Sequence, residues 1–374
     1  MTLRLSRADF TALSRGGGGA AVGRALVQSR RSRTLQLIRI AAGMSRTAHD
    51  AFLLLTDLPL AAVHHVADHP RVGDWAIRAA TGRTSSGGLV NIAAAAAITA
   101  GRSVSVLVPA SERFVLPSLG TVRRPLSGLV AVDGLDWEPT PRLDVGDGVS
   151  FELDLWQAGG QELRVATGVD VPRWRDVLSA TWQELRRHHA SVAAELAEVV
   201  RVLTPLRPSA SGVNSATLAD AFGCVFLSLG PDVPTVAVTL AHELQHQKLV
   251  VLMDLFALVE PGGEARFYAP WREDPRPLVG LLHGVYAHLG VAGFWRRAGR
   301  ETDFARWRAA ALEAAGTMME STGLTRLGRD FTAGMMSVLA EWCAEPVAPA
   351  AVAEANRLAA EHRLRWIARN REPG

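Results

Sequence analysis

Cysteine is scarce in this sequence, which limits the sites and compartments that it predicts. Only two of its 374 residues are cysteine, Cys224 and Cys343. Two cysteines so far apart match neither a disulfide framework nor a zinc knuckle. A reducing cytoplasm is therefore the expected compartment.

Lysine is almost missing, although basic residues are not. Lys248 is the only lysine, so nearly all of the 40 basic residues are arginine. The formal net charge is only +3, and the arginines are scattered along the chain. A nucleic-acid surface would gather them along one face or one stripe. This composition therefore predicts neither DNA nor RNA as a partner.

Long apolar runs are also lacking. The longest, "LVNIAAAAAITA" from Leu89 to Ala100, is too short to span a bilayer. The first residues contain no apolar segment followed by a cleavage site. We therefore expect a soluble, intracellular protein with no membrane partner.

The periodicity of the apolar residues predicts a mainly helical α+β fold. Helical spacing runs from Leu35 to about Ala67, returns after Pro172, and predicts four long helices beyond Pro277. Short β-branched runs separated by proline and glycine fill 102–168, and they predict a small antiparallel sheet inserted in the first half. "CVFLSLG" predicts one further strand before a helical bundle.

The predicted domain organisation is simple. Residues 1–34 carry many arginines and a run of four glycines, which favours a mobile basic segment. Residues 35–374 are predicted to form a single domain. Within it, 102–168 is the β-rich part and 172–374 is the mainly helical part that carries the motif described next.

"LAHELQHQKL" contains the pattern His-Glu-x-x-His, with His242, Glu243 and His246. Positions i and i+4 share one face of a helix, so both imidazoles can reach one metal ion. The surrounding residues are apolar, which predicts a helix buried on most sides. Polar side chains buried there need compensation, either from a metal or from a satisfied hydrogen-bond network. The pattern favours the metal site.

A third ligand is expected from one of two places. "PRPLVGLLHGVYAHLGVAGFW" predicts an apolar helix containing His283 and His288. The two are five residues apart and face about 140° from each other, so only one of them can point at the site. The competing ligand is an acid, Glu341, as in a glutamate-type zinc protease. The spacing alone leaves the choice between His283 and His288 open.

Two arginines lie in the proline-stiffened loop before that helix, "FYAPWREDPRPL". An arginine fork fixed beside the metal is suited to hold a carboxylate through two hydrogen bonds. Arg272 and Arg276 are therefore candidates to bind a carboxylate. The alternative is that they pair with Glu273 and Asp274.

Taken in order, "NSATLADAFGCVFLSL", "TLAHELQHQKL" and "YAPWREDPRPLVGLLHGVYAHLGVAGFW" resemble the HExxH-motif peptide-modification proteins of actinobacterial gene clusters. "HPRVGDWAIRAA", which begins at His69, resembles the N-terminal signature of that family. The resemblance covers most of the chain, from about residue 35 to residue 370. No Cys-x3-Cys-x2-Cys pattern of a radical SAM cyclase occurs, so the resemblance implies a stand-alone version.

The resemblance implies an Fe(II)- and 2-oxoglutarate-dependent oxygenase, called αKG-HExxH, that uses O2 to β-hydroxylate a residue in a ribosomally made precursor peptide. His242, His246 and His283 would bind the iron, and Arg276 or Arg272 would bind 2-oxoglutarate. Glu243 would support the ligands rather than act as a base. Radical SAM or other maturation enzymes are the implied companions.

Two other functions stay open at this point. A zinc metallopeptidase that cleaves a leader peptide would use Glu243 as the general base toward a zinc-bound water. A peptide-binding scaffold with a degenerate site would do no chemistry.

Overall fold

The computed structural model of the chain describes residues 5–111, 113–158, 163–208 and 212–370. Thirteen α-helices occur in these ranges: α1 (Arg7–Ser14), α2 (Gly19–Ala42), α3 (Arg46–Asp57), α4 (Leu60–Ala67), α5 (Pro70–Ala80), α6 (Leu89–Thr99), α7 (Val171–His188), α8 (Ala190–Val199), α9 (Val233–Leu255), α10 (Leu278–Arg297), α11 (Glu301–Glu320), α12 (Arg326–Cys343) and α13 (Pro349–Asn370). The strands are β1 (Ser105–Ser111), β2 (Val115–Leu116), β3 (Gly120–Val122), β4 (Leu126–Ala131), β5 (Trp137–Pro139), β6 (Arg142–Gly146), β7 (Val149–Leu153), β8 (Val202–Pro205), β9 (Ser215–Ala216), β10 (Cys224–Leu227), β11 (Arg266–Phe267) and β12 (Arg276–Pro277). The predicted mainly helical α+β class is confirmed.

The described residues form two compact units that interleave along the chain. The first holds the described residues within 27–180 and 199–230, and the second holds the described residues within 4–26, 181–198 and 231–374. This division differs from the predicted single domain over 35–374. The predicted boundary at residue 34 also falls inside α2, which is continuous through that position.

The sheets of the first unit are only partly antiparallel. Strands β1 and β4 form an antiparallel pair, and β2, β3 and β5 form a second small sheet. The largest sheet has the order β6-β7-β8-β10-β9, and its β7–β8 and β8–β10 pairs are parallel. The prediction of one antiparallel sheet within 102–168 is therefore corrected: β8 and β10 come from much later in the chain. The strand predicted at Cys224 is confirmed as β10.

The core of the first unit is built around the alanine-rich helix α6, which packs on α3 and α4. Its five consecutive alanines, from Ala93 to Ala97, are each 0% exposed. Small side chains let the neighbouring helices approach closely, so this short apolar run is a buried core helix.

In the second unit, the two helices expected to carry the histidines, α9 and α10, pack side by side. Asp232 caps α9 by accepting a hydrogen bond from the Thr235 amide at 2.8 Å. Helix α10 begins after Pro277 and follows the short β11–β12 hairpin. The four long helices predicted beyond Pro277 are confirmed as α10 to α13.

Within the described residues, α10 is the one helix long and apolar enough to cross a membrane by length and composition, and 72% of its apolar window is buried inside the protein. A helix packed into a protein core can have the same length and composition.

The N-terminal residues described are not an isolated arm. Leu13 of α1 and Leu26 of α2 are both 0% exposed. The glycine run that joins these helices contacts α9, because the carbonyl of Gly16 accepts a hydrogen bond from Gln245 at 3.0 Å. The segment predicted as mobile therefore contributes to the packing of the second unit.

Candidate functional site

The two histidines of the His-Glu-x-x-His motif lie one turn apart on α9 and face each other. Nε2 of His246 is 3.1 Å from Nε2 of His242, and both side chains are partly exposed, whereas the other residues from Leu240 to Leu252 are buried. Two imidazole nitrogens bound to one zinc or iron ion at about 2.0–2.2 Å lie about 3.0–3.5 Å apart. The spacing of this pair fits a shared metal ion.

His283 on α10 joins this pair. Its Nδ1 is 3.4 Å from Nδ1 of His246, and it is also partly exposed. His283 lies in the second turn of α10, and the packing of α10 on α9 brings it beside the middle of α9. The three residues predicted as ligands, His242, His246 and His283, are thus brought together.

The direction of the ring nitrogens differs from that of a formed metal centre. His246 faces His242 with Nε2 and His283 with Nδ1, so its two nitrogens point to two different partners. Among the described residues, no group of three His, Cys, Asp or Glu side chains has the geometry to hold a metal ion. The donor types and spacings fit a metal, and rotation of the imidazole rings about their side-chain bonds is needed to aim three nitrogens at one point.

His288, the alternative ligand, lies deeper in the protein. Only 7% of it is exposed, and its ring stacks on Trp271 at 4.2 Å and lies 4.8 Å from the ring of Trp307. Its Nδ1 donates to the carbonyl of Gly284 at 2.8 Å, which leaves Nε2 as the acceptor. The ring centroid lies 5.4 Å from that of His242. His288 is therefore a buried neighbour of His242.

All four histidines are held neutral by their surroundings. Burial lowers the pKa of His242 and holds the pKa of His246 well below its ordinary value. Burial, with the charge of Arg276, lowers the pKa of His283 to about 4. Burial, with the neighbouring His242, lowers the pKa of His288 to about 3. Neutral imidazoles have the free lone pair that a metal ligand needs.

Glu243 does not share the exposure of the histidines beside it. The residue is 2% exposed, whereas His242 and His246 are partly open. A general base that activates an attacking water has to reach the open side of the metal. The buried position of Glu243 favours a supporting contact with the histidines.

The two arginines of the loop differ in their relation to the site. Arg272 and Arg276 both pair with Asp274, at 2.8 and 3.1 Å. The guanidinium of Arg276 lies against Gly280 in the first turn of α10, where an added Cβ would stand 3.1 Å from Nε and Nη2. Because its charge also lowers the pKa of His283, Arg276 is the arginine nearer to the histidines.

The predicted alternative was that these arginines pair with acids of their own loop, and both do pair with Asp274. Glu273, the other acid of that alternative, pairs instead with Arg369 at 2.5 Å. Asp274 is therefore the group with which a carboxylate ligand would compete for the two arginines.

Glu341, the competing acidic ligand, lies elsewhere on the second unit. Its side chain is 59% exposed, pairs with Arg15 at 3.2 Å, and accepts a hydrogen bond from Ser337. The contacts on this exposed surface do not involve the histidines. The structure therefore does not bring Glu341, the alternative third ligand, beside the histidines, because α12 turns this residue toward α1.

One important residue near the site was not predicted. Lys248, two residues after His246, is 1% exposed and lies 2.6 Å from Glu195 of α8. Its Nζ also donates to the carbonyls of Gly16 and Gly17 at 2.9 and 3.2 Å. The only signal in the sequence was that this lysine is unique and stands in an apolar helix.

No protein-family model matches the chain, and no curated protein is significantly similar to it in sequence. The resemblance to HExxH-motif peptide-modification proteins therefore stays a prediction.

Proposed function

We propose that the protein is an Fe(II)- and 2-oxoglutarate-dependent oxygenase that β-hydroxylates a residue of a ribosomally made precursor peptide in the cytoplasm. The observation that carries the proposal is the approach of three partly exposed, neutral histidines to one another beside Arg276. This set joins nitrogen ligands of the type that iron accepts to a cation that suits a dicarboxylate.

The proposed ligands are His242, His246 and His283. When bound, iron(II) supplies the redox chemistry that couples decarboxylation of 2-oxoglutarate to hydroxylation of the peptide. His288 donates its Nδ1 hydrogen to Gly284, and this bond fixes its ring, whose centroid lies 5.4 Å from that of His242. The buried ring of His288 thereby limits the movement of one ligand.

Arg276 is proposed to bind the carboxylate of 2-oxoglutarate that is distant from the metal. It pairs with Asp274 at 3.1 Å, and its side chain is 35% exposed, so solvent and ligands can reach it. A carboxylate ligand would take part of the hydrogen bonding that Asp274 now receives. Arg272 is more exposed, at 53%, and its pair with Asp274 serves to hold the loop.

The burial of Glu243 argues for the oxygenase over the zinc metallopeptidase. A peptidase needs this carboxylate as the base that takes a proton from the attacking water. At 2% exposure, Glu243 has little access to such a water. A supporting role leaves the open face to 2-oxoglutarate and the peptide.

The test is purification without metal followed by addition of iron(II) or zinc. We expect iron-dependent succinate formation from 2-oxoglutarate, and a mass gain of one oxygen in a short precursor peptide encoded beside the protein. A peptide cut in the presence of zinc would establish the metallopeptidase. Tight peptide binding without any mass change would establish the scaffold.

A further inference from the structure

A groove of about 380 Å³ opens between the end of α9 and the start of α10 in the second unit. Met253, Phe267, Leu278 and Val279 form its apolar side. Val279 is 37% exposed, which is unusual for a side chain in this apolar helix. The opposite side is the glycine-containing loop 260–265. Its volume falls in the range of ligand sites, about 300–1,000 Å³, at the small end.

Helix geometry relates the groove to the histidines. Met253 follows His246 by seven residues, and Val279 precedes His283 by four, so each shares a helix face with a histidine. At 1.5 Å per residue, these separations are about 10 Å and about 6 Å along the two helices. An extended peptide covers that distance in about two or three residues.

The loop side of the groove is acidic. Glu260 and Glu264 line it, both are exposed, and neither forms an ion pair with another residue of the described chain. Arg266 is close by, but its guanidinium donates to the backbone carbonyls of Glu264 and Ala265. Two carboxylates disfavour a dicarboxylate such as 2-oxoglutarate in this groove and favour a cation beside an apolar group.

We propose that this groove selects the peptide substrate by binding an apolar side chain next to an arginine or lysine, two or three residues from the residue that is hydroxylated. The choice of a peptide as occupant rests on the proposed function. Val279 and Met253 contact the apolar side chain, and Glu260 and Glu264 attract the neighbouring positive charge. The groove thereby fixes which residue reaches the histidines.

The test uses metal-free full-length protein and a displayed pool of random peptides, read by sequencing after selection. We expect the wild type to enrich peptides with an arginine or lysine adjacent to a large apolar residue. An enriched peptide, labelled with a fluorophore, should bind the Glu260→Gln/Glu264→Gln variant about 2- to 30-fold more weakly, since two exposed charge pairs are lost. Its affinity for the wild type should fall as salt is added.

The matched control is Asp330→Asn, which removes an exposed carboxylate of α12 outside the groove and should leave binding unchanged. A second variant, Val279→Asp, should abolish binding through the apolar side, and thermal unfolding checks that each variant folds. Selection of acidic peptides, equal binding by the Glu260→Gln/Glu264→Gln variant, or no enrichment would overturn the proposal. Because peptide selection is read without metal and without 2-oxoglutarate, failure of the oxygenase proposal alone would leave this result intact.

Discussion

Nζ of Lys248 lies 2.6 Å from Oε2 of Glu195, and the two side chains are only 1% and 5% exposed. Burial lowers the pKa of Lys248, whereas Glu195 favours its charged form. With Gly16 and Gly17 as further acceptors, all three ammonium hydrogens have a partner. This one side chain ties α9, immediately beyond the motif, to α8 and to the glycine run.

Removing that amine should destabilise the protein strongly. Lys248→Met leaves the buried carboxylate of Glu195 without its positively charged partner, and we expect the free energy of unfolding to fall by about 3–5 kcal/mol. Urea unfolding measures the change. The control is Arg24→Met, which breaks the more exposed pair with Glu198 and should cost about 0–1 kcal/mol. Equal effects of the two variants would contradict the importance of the buried pair.

Metal content separates the ligands from the supporting histidine. We expect His242→Ala, His246→Ala and His283→Ala each to lose bound iron, because each variant keeps only two of the three proposed imidazole ligands. His288→Ala should keep most of the metal while destabilising the fold by about 3 kcal/mol, since it removes a buried ring. Elemental analysis and thermal unfolding of the same samples give both quantities. Metal loss in His288→Ala with retention in His283→Ala would move the third ligand along α10.

Glu243→Gln keeps the size of the side chain and removes its charge. In the proposed oxygenase, succinate formation and peptide hydroxylation should fall by about 10- to 100-fold, as for the loss of a contact that orients a ligand. A zinc peptidase should lose activity by several orders of magnitude, because no other group would take the proton from water. The measurement is activity of wild type and variant with iron and with zinc. Zinc-dependent cleavage that vanishes in the variant would refute the oxygenase.

The two loop arginines should respond differently to substitution. Arg276→Gln should raise the KM for 2-oxoglutarate about 10- to 150-fold, since hydrogen bonds to a charged group are lost. Arg272→Gln has the same chemistry and keeps Arg276, so its KM should change little. Asp274→Asn should lower the KM, because it removes the carboxylate that competes for Arg276. An unchanged KM in Arg276→Gln would show that the cosubstrate binds elsewhere.

Acid should weaken the first unit through Glu152. Burial raises the pKa of this carboxyl, but His69 and Arg201, 3.2 and 3.1 Å away, outweigh it and lower the pKa to about 2 from its ordinary 4.5. A lowered folded pKa stabilises the protein above pH 4.5, and this stabilisation is lost as the pH falls toward 2. Urea unfolding across this range should give a shallower pH slope for Glu152→Gln than for the wild type. Parallel slopes would contradict the assignment.

The helices that carry the site were predictable because their signals are local. Asp232 caps α9 and Pro234 lies in its first turn, Pro277 precedes α10, and most residues of both helices are apolar. Spacing predicts only that one of His283 and His288 points at the site, and the preference for His283 comes from the family resemblance. Which of the two rings is more deeply buried does not follow from spacing, because it depends on Trp271 and Trp307, which reach α10 from other elements.

Long-range contacts account for what the sequence did not predict. Strand β8 joins β7 in parallel, although about 50 residues separate them. The glycine run was interpreted as a mobile segment because glycine has no side chain to pack. Its carbonyls bind Lys248 through the backbone, and such contacts leave no trace in the pattern of apolar residues.

The burial of Lys248 makes the chemical labelling of its amine depend on local unfolding. Lys248 carries the only side-chain amine that acylating reagents can modify, and it is buried among α8, α9 and the glycine run. Next to Glu195 the amine is protonated, and a protonated amine has no lone pair with which to react. The rate of acylation at this position therefore follows how often the second unit opens. The acylation rate of this one amine, followed by mass spectrometry, therefore measures the local unfolding of the segment that follows the histidines.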